Sequence, residues 1–140
     1  MFTYGFYAKR PEDCNAFLAD VAAELQGKQP TLTHRAIARL QADGRLVRHY
    51  TMNIDGLAAR AGLVSWAPAA AAEGSTVELH GTCEEVVCKA GHRAVADTAV
   101  RKALRTRKRP CCARQGCGAQ LRWRVMLYDD KEGDLVTDSG

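Results

Sequence analysis

Six cysteines stand in the 140-residue chain, at Cys14, Cys83, Cys88, Cys111, Cys112 and Cys117. Cys112 and Cys117 form a C-x4-C pair with Gly118 just after it, and Gly118 lets the loop turn tightly around an ion. Cys88 precedes Cys112 by 24 residues, a separation that fits one half of a split tetrahedral zinc site. Gly91 occupies the place of a second cysteine in a C-x2-C pair, but His92 beside it makes Cys88-x3-His92 and offers an imidazole. Cys83 and Cys111 are the alternative fourth ligands, and spacing does not choose among the three. The ordinary alternative is a set of free buried thiols, or a site that has lost its metal.

Two further groups have types suited to chemistry. His80 ends an apolar, β-forming stretch and is followed by Gly81, where a ligand or another backbone can approach closely. A neutral imidazole can take a proton from a hydroxyl; the plainer alternative is a hydrogen-bonded structural histidine, as for His34 and His49. Asn53-Ile54-Asp55-Gly56 falls between a strand and a helix. In open α/β sheets ligands meet the carboxyl ends of strands, where an amide and a carboxylate can bind ribose hydroxyls or a carboxamide. Capping and turn formation by Asp55 and Asn53 are the competing reading.

The elements that must position these groups are legible. Pro11 suits a first helical position, Glu12 and Asp13 favour the positive end of a helix dipole, and Phe17, Leu18, Val21 and Leu25 share a face, which predicts a helix from Pro11 to Leu25. A second helix is expected over Leu32 to Asp43, capped by Thr31 or Thr33, with Ile37 and Leu40 on its buried side. Leu46 to Thr51, Val77 to His80 and Leu121 to Tyr128 read as strands, and Leu57 to Ala61 as a short helix closed by Gly62. This alternation is the rhythm of a parallel α/β sheet. Leu63 to Ser75, with its alanine run Ala69–Ala72, reads as a variable connection, and the acidic tail from Asp129 as a loop. Cys83 to Cys117 has no strong periodicity.

Composition narrows the class. With 46% hydrophobic and 26% charged residues this is a globular chain, and no run of about 18 apolar residues offers a membrane span. Lys9 and Arg10 arrive after eight mixed residues, so a secretory signal is not expected, and clustered thiols in a reducing compartment favour metal over disulfides. The run Arg101-Lys102-x2-Arg105-x-Arg107-Lys108-Arg109 fits phosphate contact or a nuclear import signal, and equally a solvated helix face. It has little aromatic interleaving for base stacking.

Taken in order, four groups of residues resemble the sirtuin family of NAD-dependent protein deacylases. They are Pro30-Thr31-Leu32-Thr33-His34; Tyr50-Thr51-Met52-Asn53-Ile54-Asp55-Gly56-Leu57 with Arg60-Ala61-Gly62; Glu78-Leu79-His80-Gly81-Thr82 with Cys88; and Cys117-Gly118-Ala119-Gln120-Leu121-Arg122 before Val125-Met126-Leu127-Tyr128. The family patterns T-Q-N-I-D-G-L, E-L-H-G and C-G-x-x-L-R all occur, with Met52 in place of Gln in the first. The resemblance implies an incomplete Rossmann-like parallel sheet with a small inserted zinc-binding module at about 83–120, residues 1–140 forming the central part of the catalytic domain. It implies that Asn53 and Asp55, with Met52 and Ile54, meet the nicotinamide end of NAD and that His80 is the catalytic base. Cys88, Cys112 and Cys117 match three of the family's four zinc cysteines, leaving His92, Cys83 or Cys111 for the fourth, and Zn2+ would stabilise rather than catalyse.

The implied reaction begins when the acetyl-lysine oxygen attacks the nicotinamide ribose and nicotinamide leaves. The histidine then activates a ribose hydroxyl, giving free lysine and acetyl-ADP-ribose. Leu46 to Thr51 and Leu127-Tyr128-Asp129-Asp130 look most like the eukaryotic branch that includes histone-directed deacetylases. That implies an acetylated protein substrate such as a histone, nucleic acid met only through chromatin, no membrane, and a nuclear or cytoplasmic location. The family's Gly-rich phosphate loop does not occur in residues 1–29, Met52 removes a polar cofactor contact, and the strands that hold the adenosine half of NAD lie beyond residue 140. Weak or absent activity is therefore expected of this chain alone. The alternatives are a non-catalytic zinc-binding interaction module and a nucleic-acid-binding fragment using Arg101 to Arg109.

Overall fold

Pro11, with φ fixed and no amide to satisfy, opens helix α2 (Pro11–Gln26), with Glu12 and Asp13 in its first turn. The computed structural model describes residues 2–66 and 74–137; the alanine run Ala69–Ala72 lies outside them. A six-residue helix α1 (Tyr4–Lys9) precedes α2, capped by the Thr3 hydroxyl, and was not legible in the sequence. The buried stripe of α2 runs through Cys14, Asn15, Leu18, Ala19 and Ala22. This corrects the expected face: Phe17 and Leu25 are only partly buried, because small residues let the helix approach the sheet closely.

Helix α3 (Leu32–Ala42) begins at Thr31, whose amide and hydroxyl both meet His34 Nδ1. None of its residues is buried; Ile37 is half-buried and Leu40 is exposed, against the expectation for both. Strand β1 is confined to His49–Thr51, shorter than expected. Helix α4 (Leu57–Arg60) follows, then strand β2 (Thr76–Glu78), which pairs parallel with β1 in the register His49–Thr76 and Thr51–Glu78. His80 is thus in a turn beyond β2 and not at a strand end.

That turn leads into a second sheet. Strand β3 (Gly81–Cys88) lies between β4 (Arg93–Val95) and β5 (Leu121–Val125), antiparallel to both. Helix α5 (Thr98–Arg105), capped by Asp97, packs on α2. The stretch from Cys83 to Cys117 therefore holds most of a strand, a second strand and a helix. The parallel pair bears out the α/β architecture, with the antiparallel sheet beside it.

The core lies where α2 and α5 cover the antiparallel sheet. Trp123, fully buried, donates from Nε1 to the Asn15 carbonyl at 3.0 Å. Leu121, Trp123 and Val125 point into this core, and the alternate Arg122 and Arg124 are buried on the other face. Buried charges require partners. Arg122 reaches Asp130 at 2.7 Å and Glu132 at 3.2 Å and lies 4.7 Å from the centre of the Tyr7 ring; Arg124 pairs with Glu78 and, at 2.8 Å, with Glu85. The acidic tail is thus the counter-charge of β5, and it carries a short 3-10 turn at Gly133–Leu135. No helix among the described residues is long and apolar enough to cross a membrane.

Candidate active site and metal centre

Residues 52–55 follow the end of β1 without regular secondary structure, bending at Asp55, and they alternate between two clefts. Asn53 and Asp55 line a cleft of about 170 Å³ with Thr33, His49, Thr51 and Glu78, and Ile37 and Ala58 complete its wall. Met52 and Ile54 line an apolar cleft of about 320 Å³ with His80, Val125, Met126 and Leu127. The expected site residues are therefore adjacent but divided, the polar pair on one side and the imidazole with the apolar pair on the other.

Backbone ties hold the turn. The Asn53 amide donates to Thr51 Oγ1 at 3.1 Å, and the Ile54 carbonyl accepts from the Cys83 amide at 2.9 Å. Asp55 Oδ1 accepts from the Leu57 amide at 2.9 Å, so the capping role weighed for Asp55 is present in the same side chain that lines the cleft. His49 meets Thr76 Oγ1 at 3.3 Å, and burial, together with the charge of His34, lowers its pKa.

His80 is exposed at the mouth of the apolar cleft. Its carbonyl accepts from the Met126 amide at 2.9 Å, which fixes the turn against the end of β5. Gly81 is obligatory beside it: φ is +73°, and a Cβ there would lie 2.0 Å from the Arg124 carbonyl oxygen. An imidazole facing apolar walls is placed to take a proton from a bound hydroxyl. The neighbouring cleft presents the acceptors and donors that a ribose or carboxamide needs.

Cys88, His92, Cys112 and Cys117 bring their ligand atoms within 4.8 Å of one another. Sγ of Cys88 and Cys117 are 3.8 Å apart, and Sγ of Cys112 is 3.6 Å from His92 Nδ1. Tetrahedral zinc, with bonds of about 2.3 Å to sulfur and about 2.0 Å to nitrogen, requires about 3.8 Å between two sulfurs and about 3.5 Å between sulfur and nitrogen. The donor set therefore fits zinc. A tight turn and a closed loop present it: the Gly91 amide donates to the Cys88 carbonyl at 2.8 Å, and the Cys112 amide donates to the Ala119 carbonyl at 2.8 Å. Burial opposes ionisation of Cys88, but hydrogen bonds from the backbone at His92 and Ala90 and from the neighbouring thiols hold its pKa below the ordinary thiol value. At Cys117 the backbone at Ala119 favours the thiolate, yet burial and the adjoining thiols raise the pKa. Cys83 lies in the core and Cys111 is exposed, both outside the cluster.

The basic run is occupied within the chain. Arg101 pairs with Glu84 at 2.6 Å, Arg105 with Asp20 at 2.8 Å and Arg107 with Asp13 at 2.7 Å, while Arg109 pairs with Glu12. Arg101 thus ties α5 to β3, while Arg105, Arg107 and Arg109 fasten the end of α5 and the segment after it to α2. A surface cavity of about 590 Å³ lies among these pairs, away from both clefts.

A family model described as the Sir2 family matches residues 1–138. The chain belongs to the Sir2 family. An NAD-dependent protein deacetylase of Haloarcula marismortui is 35% identical over 133 residues, covering 94% of this chain and 45% of that protein. NAD-dependent protein deacetylase 2 of Streptomyces coelicolor is 29% identical over 139 residues, covering 97% and 53%. NAD-dependent protein deacetylase sirtuin-7 of Bos taurus is 36% identical over 118 residues, covering 79% and 26%. A solved complex of Sir2 with p53 peptide and NAD+ superposes with a TM-score of 0.68 at 25% identity, covering 93% of this chain and 49% of that one. The chain spans about half the length of the first two of these relatives.

Two residues that hold this Sir2 turn were missed in the sequence. Glu84 lies against Gly56, and Arg60 reaches the Asp55 carbonyl. A charged pair in mid-strand, Glu84-Glu85, followed by apolar residues was the available signal for Glu84. Arg60 stands within a quoted family segment but carries no local signal of its role.

Proposed function

We propose that this chain forms the central part of a Sir2-type NAD-dependent protein lysine deacetylase. Residues 1–140 are a partial catalytic domain, with about 83–120 as its zinc-binding module. Asn53 and Asp55 receive the nicotinamide end of NAD, with Met52 and Ile54 forming the wall on the other side of the turn. His80 takes the proton from a ribose hydroxyl. Cys88, His92, Cys112 and Cys117 hold a Zn2+ that stabilises the module and takes no part in the chemistry. The observation that carries this reading is the division of residues 52–55, which puts Asn53 and Asp55 in one cleft and Met52 and Ile54, with His80, in the other.

The substrate is an acetylated protein, and the eukaryotic-like segments 46–51 and 127–130 favour a histone; chromatin is then the indirect link to nucleic acid. A reducing compartment, nuclear or cytoplasmic, suits the clustered thiols. With the Gly-rich loop absent from residues 1–29 and Met52 in place of Gln, turnover by this chain alone is weak or nil. Calorimetric titration with NAD tests the reading. Heat of binding that disappears in Asn53→Ala and Asp55→Ala supports it. Binding that survives both substitutions refutes it, and zinc-loaded protein without NAD affinity favours a non-catalytic interaction module.

A further inference from the structure

Arg60, the last residue of α4, joins three parts of the fold. Its Nη1 donates to the carbonyls of Leu25, Gln26 and Lys28 at 3.0, 3.1 and 2.9 Å, at and just beyond the end of α2, where the helix dipole is negative. Its Nη2 donates to the Asp55 carbonyl at 2.5 Å and lies 3.5 Å from Glu84 Oε1. The other oxygen of Glu84 accepts from Arg101 Nη2 at 2.6 Å, and the Arg101 guanidinium lies 5.4 Å from the centre of the Trp123 ring. Glu84 is packed beneath the turn, since a Cβ on Gly56 would lie 2.7 Å from Glu84 Cγ.

We propose that Arg60, steadied by Glu84, is a positioning residue for the Asn53-Ile54-Asp55 turn. It fixes the Asp55 peptide against a rigid helix end on one side and a carboxylate anchored to α5 and the core on the other. Because residues 52–55 are divided between two clefts, any rotation of the Asp55 peptide moves Asn53 and Asp55 in one and Met52 and Ile54 in the other. A planar guanidinium can reach carbonyls on both sides at once; a lysine ammonium is a single point and cannot. Its bearing on cofactor binding rests on the reading that this turn meets the nicotinamide end of NAD.

The test uses the full zinc-loaded chain with Arg60→Ala, Arg60→Lys and Glu84→Gln. Amide hydrogen exchange reports the turn at Leu57 and Cys83 and the core at Val86 and Val87, and NAD affinity is measured in parallel. Loss of charge-assisted bonds of this kind predicts exchange about tenfold faster at Leu57 and Cys83 in Arg60→Ala and NAD affinity weakened by about the same factor. Val86 and Val87 stay within about twofold, Arg60→Lys recovers part of both effects, and Glu84→Gln shows a smaller loss. Equal acceleration at all four amides is global destabilisation and overturns the proposal, as does unchanged exchange at Leu57. A wild-type chain that binds no NAD while the exchange pattern holds overturns the cofactor reading alone, and Arg60 still stands as the residue that positions the turn.

Discussion

Substitution of Gly81 by alanine separates two costs that usually arrive together. At φ +73° an added side chain incurs the left-handed penalty of about 1–2 kcal/mol. Its Cβ would also sit 2.0 Å from the Arg124 carbonyl oxygen and 2.7 Å from Val136 Cγ1. Backbone cannot give way as a flexible side chain does, so β5 must retreat. Retreat strains the bond from the Met126 amide to the His80 carbonyl and the Gly81–Val125 pairing, at about 1 kcal/mol each. The total is about 3–4 kcal/mol, a large part of the 5–15 kcal/mol typical of a whole domain. Gly44 provides the control: φ is +67°, but nothing lies within 4 Å of an added Cβ, so Gly44→Ala incurs only the conformational cost. Urea unfolding with saturating zinc, followed by the fluorescence of Trp66 and Trp123 together, should show a midpoint lowered by about 1.5–2 M in Gly81→Ala and by about 0.5–1 M in Gly44→Ala, with a slope of about 2 kcal/mol/M. Equal shifts in the two variants would refute the steric argument and the placement of His80 that depends on it.

Other perturbations address the metal, the charges and the thiols. Elemental analysis should find one zinc per chain, lost in Cys88→Ser, Cys117→Ser and His92→Ala and retained in Cys14→Ser and Cys111→Ser. Chelation should unfold the module, since structural zinc couples on the order of 10 kcal/mol to folding; zinc-free protein with an unchanged melting curve would contradict this. Burial alone favours the neutral acid at Asp130, but the Arg122 guanidinium outweighs it and holds the pKa below the ordinary carboxylate value. The resulting stability is fully present above that ordinary value and is lost as pH falls through the lowered one. Denaturant midpoints taken from about pH 5 down to pH 2 should therefore fall more steeply for wild type than for Asp130→Asn. Burial, reinforced by Glu84, pushes the Cys83 thiol up to about 12, so mass-mapped alkylation of the native protein should label exposed Cys111 first and leave Cys83 unmodified.

The sequence made α2 and the 52–55 turn plain, because Pro11, the dipole-matched acids and the strand-to-helix handover act locally. It misplaced the buried face of α2, since the reading weights large apolar residues and the packing uses Ala19 and Ala22. Strand β3 was hidden by Glu84 and Glu85, whose charges are matched only by distant arginines. In the same way α5 reads as a basic run until the acids of α2 are placed opposite it. Spacing does not choose among Cys83, His92 and Cys111 as the fourth ligand. Only the fold, which sends Cys83 into the core and Cys111 outward, brings His92 to the other three. That residues 52–55 part between two clefts is not legible in their types, and which cleft holds His80 depends on the turn between β2 and β3.

The central claim is that the residue 52–55 turn and His80 together receive NAD and an acetyl-lysine. Titration of the isotopically labelled, zinc-loaded chain with NAD and then an acetyl-lysine peptide reads it directly by NMR. The account predicts shifts at the Asn53 to Gly56 amides on adding NAD, and at the His80 imidazole and Met126 on adding peptide. Shifts confined to the Arg101 to Arg109 surface, or none at the turn at saturating NAD, would contradict it.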